Sequence, residues 1–177
     1  MELKLSNDHK RLLTPADKWD FNNPPIDIIE LSEGMIKVLY KENGLGIAYN
    51  QLDLPGNYAV FAMRGEPENF VFINPRIVWE SKETHILKES CLSFKGLVFP
   101  IERPKDVRIR FQTPSGETFT KLFKNLSARV IQQMVGYNQG KIFFEGVSRL
   151  KLNLCLKKTK KKGIDYTSEG LLKFCKK

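Results

Sequence analysis

Between Ile28 and Asn43 the apolar residues Ile28, Leu31, Met35, Val38 and Leu39 return at steps of three and four, and Gly44 follows. That is the period of a helix with one buried face, and a glycine is a natural stop for it. Past Gly44 the period changes. Stretches rich in aromatic and β-branched residues at 58–63, 70–73, 76–79 and 107–111 read as strands. Pro114, Ser115 and Gly116 separate the last of these from 117–123, where Thr118 and Thr120 alternate with Phe119, so the two segments form a hairpin. At 127–137 the helical period returns, with Val130, Ile131, Met134 and Val135 facing inward and Ser127 in place to cap. The order helix, strands, helix predicts an α+β fold: mostly antiparallel strands around a central late helix, with an N-terminal helix ahead of them.

A chain of 177 residues leaves room for one core, and 41% hydrophobic residues supply the apolar material for it. No apolar run approaches the roughly 18 residues needed to span a bilayer, and the first residues lack the unbroken apolar stretch of a signal peptide. No membrane span is therefore expected. Cys91, Cys155 and Cys175 are odd in number and lack metal-type spacing, which argues against a disulfide framework and for a reducing compartment, the cytoplasm by default.

Charge is unevenly placed. The formal net charge is +9, but residues 149–177 hold ten Lys or Arg against two acids, so +8 of it sits there and only +1 on the first 148 residues. This divides the chain into a domain at 1–155 and a basic tail at 156–177. Lys157, Lys158, Lys160, Lys161 and Lys162 repel one another and should stay solvated, and Leu171, Leu172, Phe174 and Cys175 beyond them would form one short amphipathic helical face. Two readings of the tail stand side by side: an electrostatic arm for RNA, a membrane surface or another acidic partner, and a merely solvated end.

Three segments carry the chemistry. Gly44-Leu45-Gly46-Ile47-Ala48-Tyr49-Asn50-Gln51 places glycines where backbone can come close to a ligand and ends on an amide able to donate to an oxyanion. Glu89-Ser90-Cys91-Leu92-Ser93 offers one soft sulfur ligand, and Phe72-Ile73-Asn74-Pro75 lies between these two. The third is the late helix, with Gln132-Gln133-Met134-Val135-Gly136-Tyr137.

In this order and at these separations the segments resemble the peptide deformylase family, from about residue 3 to about residue 155. The resemblance implies the deformylase-like fold. It also implies that Gln51 and the backbone N–H of Leu92 face the oxyanion and that Cys91 is a metal ligand. The family's late helix reads Gln-His-Glu-x-Asp-His, two imidazoles four residues apart for a metal and a carboxylate as general base. Here Gln133 and Tyr137 stand at the two His positions, Met134 at the Glu and Gly136 at the Asp; Ser90 and Tyr49 replace two small residues of the other motifs. The remaining histidines, His9 and His85, read as surface residues.

A catalytic divalent ion takes three protein ligands and an open position, and of the family's three only Cys91 is present. The sequence therefore predicts no cofactor and no metal, and a non-catalytic deformylase-like protein rather than an enzyme. Gly44, Gly46, Gln51, Cys91, Leu92, Gln133 and Tyr137 would be the relic of a pocket partly plugged by Tyr49 and Tyr137, with Gln133 bonded to Cys91 or Gln51. On this reading the chain is a structural or assembly component with protein partners. A phage origin, a tail or baseplate hub and a place in host cytoplasm and virion then follow by analogy. Two alternatives accompany it: a ribosome or nascent-peptide binding module using the basic tail on RNA, and a residual hydrolase with an atypical site.

Overall fold

The structure is a computed structural model that describes residues 1–164, Tyr166 and Leu171. Helix α1 spans Ile28–Lys41 and starts at Asp27, whose carboxylate accepts the Glu30 N–H at 2.8 Å. Its end differs in detail from the expectation. Asn43, not Gly44, takes the left-handed conformation, with φ 52°, while the N–H of Gly44 donates back to Leu39 at 2.8 Å. Gly44 is needed for room: a Cβ there would lie 2.9 Å from the Leu92 side chain.

Five strands form one sheet in the order β1 (Gly46–Ala48), β2 (Val60–Met63), β3 (Phe70–Glu80), β6 (Asp106–Gln112), β7 (Thr118–Lys124), and β4 (Thr84–Glu89) pairs with β5 (Phe99–Pro104) in a separate hairpin. Every pairing between these strands is antiparallel. The segments expected as two strands at 70–73 and 76–79 are one strand, β3, with a register shift against β6 between Ile73 and Arg76. Asn74 sits in that irregularity with φ 51°; its amide oxygen accepts the Trp19 N–H at 2.7 Å and its nitrogen donates to the Trp19 carbonyl and to Gln112. The irregularity thus ties the N-terminal arm to the sheet.

Helix α2 spans Asn125–Asn138, and Ser127 lies within its first turn; the cap position is Lys124, which gives no side-chain bond. The helix is central as expected, packing on the sheet and on β5. Between it and the sheet lies a core built on Phe61, Phe72, Phe111 and Phe123, with Phe61 and Phe72 stacked at 4.5 Å. A second core on the other side joins Leu31, Met35 and Leu39 of α1 to Ile47, Val60, Ala62 and Ile73. Each such side chain contributes about 1.5–3 kcal/mol when fully buried. The two layers hold α2 against β1, which positions the site.

A third helix, α3, spans Arg149–Lys160 and buries Leu152, Leu156 and Thr159. It runs through the point where composition alone divided domain from tail. Lys157, Lys158 and Lys160 are exposed on it, as are Lys161 and Lys162 beyond it. Of the apolar face expected further on, Leu171 is buried, while Leu172, Phe174 and Cys175 lie outside the described residues. Among the described residues no helix is long and apolar enough to cross a membrane.

Candidate functional site

A groove of about 570 Å3 opens between the Gly44–Gly46 edge of β1, the turn around Cys91 and one face of α2. Gly44, Gly46, Cys91, Leu92 and Gln133 all line it, so five of the seven pocket residues expected from sequence come together there. Gln51 and Tyr137 do not line it. Gln51 is buried; its Oε1 accepts the Ala48 N–H at 2.9 Å and its Nε2 donates to Ser93 Oγ at 3.0 Å, which fastens the end of β1 to the Cys91 turn. Tyr137 is fully buried one helical turn beyond Gln133.

Glu89 closes β4 immediately before the Cys91 turn, and its carboxylate is the hub of the site. It accepts Nε and Nη2 of Arg103 at 2.6 and 2.8 Å, Nη1 of Arg129, and Nε2 of Gln133 at 3.2 Å. Arg129 also donates to the carbonyls of Ile101 and His85, so α2 is clamped to both strands of the β4–β5 hairpin. Gln133 spends its amide nitrogen on Glu89 and on the Ser90 carbonyl, not on Cys91 or Gln51 as expected. An ionised carboxylate is the stronger acceptor and wins. Sequence reasoning missed Arg103 and Arg129. The available signal was Arg129 itself, a cation one residue before Val130 in the stripe that faces inward.

Cys91 is partly exposed as a residue, yet desolvation pushes its thiol up to about 11, and nearby hydrogen-bonding groups, Tyr137 first, pull the other way. The Tyr137 phenol is in turn raised well above its ordinary value, by burial first and then by Cys91. The two groups interact, but not with the geometry of a hydrogen bond, and among the described residues the phenol oxygen has no partner of normal geometry. Near pH 7 only about one thiol in ten thousand is ionised, so the sulfur is a neutral group and a poor nucleophile.

Tyr49 does not plug the groove. Its hydroxyl donates to the Pro55 carbonyl at 2.6 Å and its ring meets Tyr58 edge-on at 5.4 Å, in the core beneath α1. Met134 is likewise withdrawn: it is buried, and its sulfur lies 3.3 Å from where a Cβ on Gly46 would be.

A catalytic divalent metal needs three protein ligands. Cys91 offers one sulfur, Gln133 an amide held by Glu89, and Tyr137 a buried phenol. Glu89 is already committed to two arginines. His9 packs its ring 4.6 Å from that of Phe94, and His85 is exposed with Nε2 3.3 Å from Glu83; neither lines the groove. Among the described residues no three of His, Cys, Asp and Glu are grouped to hold a metal. These residues do not fit a three-ligand catalytic centre.

The polypeptide deformylase family model matches residues 4–153. A peptide deformylase of Bartonella tribocorum is 32% identical over 149 residues, covering 81% of this chain and 84% of the relative. Among solved structures, a peptide deformylase from Synechococcus elongatus in complex with actinonin superposes with a TM-score of 0.79 at 26% identity, over 94% of this chain and 88% of that one. A probable peptide deformylase from Synechococcus phage S-SSM7 gives 0.69 at 25% identity, over 80% and 97%. These matches overturn the expectation of a non-catalytic structural or assembly component. The relatives bear the name of an enzyme, the phage protein included, and they give no support to a tail, baseplate or virion role. They point to a hydrolase instead, and the antiparallel fold around α2 agrees with theirs. From residue 4 to residue 153, then, sequence and architecture lead to the same conclusion: this chain belongs to the polypeptide deformylase family.

Proposed function

We propose that the chain is a hydrolase of the deformylase class with an atypical centre, acting on the formylated N-terminus of a peptide laid in the groove beside Cys91. The observation that carries this reading is the family match over 4–153 together with a groove still open along Gly44–Gly46, Cys91, Leu92 and Gln133. In it β1 offers a sheet edge, since among the described residues β1 pairs with β2 alone, and an extended peptide can pair with such an edge. Leu45 and Leu126, both exposed at the rim, give the first side chain of the peptide an apolar surface. A cytoplasmic location goes with this reading.

The rate is where the substitutions on α2 count. Met134 has no proton to take or give, and loss of a general base removes about a hundred- to ten-thousand-fold. Cys91, protonated at neutral pH, stabilises a developing negative charge only as a weak S–H donor. Turnover is therefore expected to be slow beside that of relatives with an intact helix motif. Formate release from a formyl-methionyl tripeptide, measured on the purified chain with and without added divalent iron, nickel or zinc, tests the reading. Slow turnover above the blank, abolished by Leu126→Lys at the rim, supports it. Release equal to the blank under all conditions, with no binding of the tripeptide, overturns it.

A further inference from the structure

On the other face of the sheet, away from the Cys91 groove, lies a second concavity of about 610 Å3 that shares no lining residue with it. Strand β6 buries Val107, Ile109 and Phe111 in the core under α2, so the alternate residues Arg108, Arg110 and Gln112 face away from that helix. Arg110 lines the concavity together with Arg76 of β3 and Lys18 of the N-terminal arm; Gln112 and Thr118 add neutral polar groups, and no carboxylate lines it.

Arg76 and Arg110 are direct cross-strand partners. Like charges placed opposite one another destabilise a sheet, and a protein normally offsets this with an acid nearby. Here neither arginine, nor Lys18, forms an ion pair among the described residues. A guanidinium matches the oxygens of phosphate and can make a bidentate contact with them, and two arginines at opposed strand positions line this one hollow.

We propose that this concavity binds a small phosphorylated anion, with phosphate oxygens held between Arg76 and Arg110 and Lys18 at one end. Its volume is that of a small-molecule site. Three cations, Lys18, Arg76 and Arg110, line the one hollow, which suits a compact anion.

Inorganic pyrophosphate is the probe, titrated calorimetrically into the full chain and followed in parallel by thermal melting. Saturable one-to-one binding and a raised melting temperature are expected. Arg76→Gln and Arg110→Gln should each weaken binding about ten- to a hundredfold, the loss of one charge-assisted contact. Without pyrophosphate both variants should melt no lower than the native chain, because the opposed charges are relieved. Lys151→Gln on α3 should change neither. Should the arginine variants fail to fold, protection of Arg76 and Arg110 in the native chain from phenylglyoxal by pyrophosphate decides the matter, and absence of protection overturns the proposal. So does a melting shift reproduced by potassium chloride at matched ionic strength. Tight binding of single-stranded RNA where pyrophosphate gives none would assign the face to nucleic acid and overturn it as well.

Discussion

Arg103 grips Glu89 from the side, Nε at 2.6 Å and Nη2 at 2.8 Å, while Arg129 reaches the same carboxylate from α2. Both arginine side chains are mostly out of water, at 17% and 7% exposure, and the carboxylate is at 4%. Such a set survives burial only because each charge is met. Glu89→Gln leaves two buried cations facing a neutral amide and should cost about 3–5 kcal/mol. Urea unfolding of the variant measures this, and a loss under 1 kcal/mol would show that the clamp is dispensable.

Gly46 makes a different kind of contact. A Cβ at this position would come within 2.5 Å of Val130 Cγ1 on α2, closer than the packing allows. Gly46→Ala should push α2 away from β1 and destabilise by about 1–3 kcal/mol, the usual cost of overfilling a core. Val130→Ala in the same chain opens the missing space, so the double variant should recover most of the loss. A double-mutant cycle in urea with no coupling between the two sites would contradict this.

What the sequence revealed, and what it hid, follows from the range of the interactions. The face of α2 was legible because Val130, Ile131, Met134 and Val135 repeat at the helical period. The groove was legible through local motifs that bring Gly46, Cys91 and Gln133 to one place. The Glu89 clamp was not, since Arg103 and Arg129 lie 14 and 40 residues away and no local pattern joins them. The β4–β5 hairpin was hidden for another reason: β4 is exposed on both faces from Thr84 to Lys88, so it shows no alternation. In β3, Asn74-Pro75 broke the pattern without ending the strand, because the register shift there absorbs them. Tyr49 was misplaced because nothing local told that it points beneath α1 and not toward Cys91.

Titration of Cys91 gives an alkaline signature. Its thiol is raised from the ordinary range to about 11 by desolvation, and Tyr137 is raised as well. In an acid group so raised the folded state holds the proton more tightly than the unfolded chain. The stabilisation is complete below the unfolded value, near 9, and is lost as pH climbs through about 11. The urea midpoint should therefore fall between pH 9 and pH 11. Cys91→Ser, which has no titrating thiol, should flatten part of that slope; an identical slope in the variant would remove Cys91 from the account. Alkylation by iodoacetamide in a Cys155→Ser, Cys175→Ser background should be slow at pH 7 and accelerate throughout this range.

The Tyr137 hydroxyl is buried beside Cys91, close enough to act on the thiol, yet among the described residues it makes no hydrogen bond of normal geometry. A buried donor left unmade costs about 1–3 kcal/mol, so removing it should stabilise the fold: Tyr137→Phe is expected to gain about 1 kcal/mol in urea unfolding. Because Tyr137 pulls the Cys91 thiol downward, the same change should raise that thiol further and slow its alkylation near pH 9. Replacing both helix positions by imidazole pushes in the opposite direction. Gln133→His with Tyr137→His sets two nitrogens four residues apart on the α2 face nearest Cys91, the spacing that binds a divalent ion. A bound ion draws the thiol proton away, since the thiolate is the ligand. Cobalt titration of the double variant should then show a sulfur-to-metal charge-transfer band and an affinity at least about tenfold above that of the native chain. If the band failed to appear in a folded double variant, the Cys91 sulfur would be turned away from α2, and the placement of the site around it would have to be redrawn.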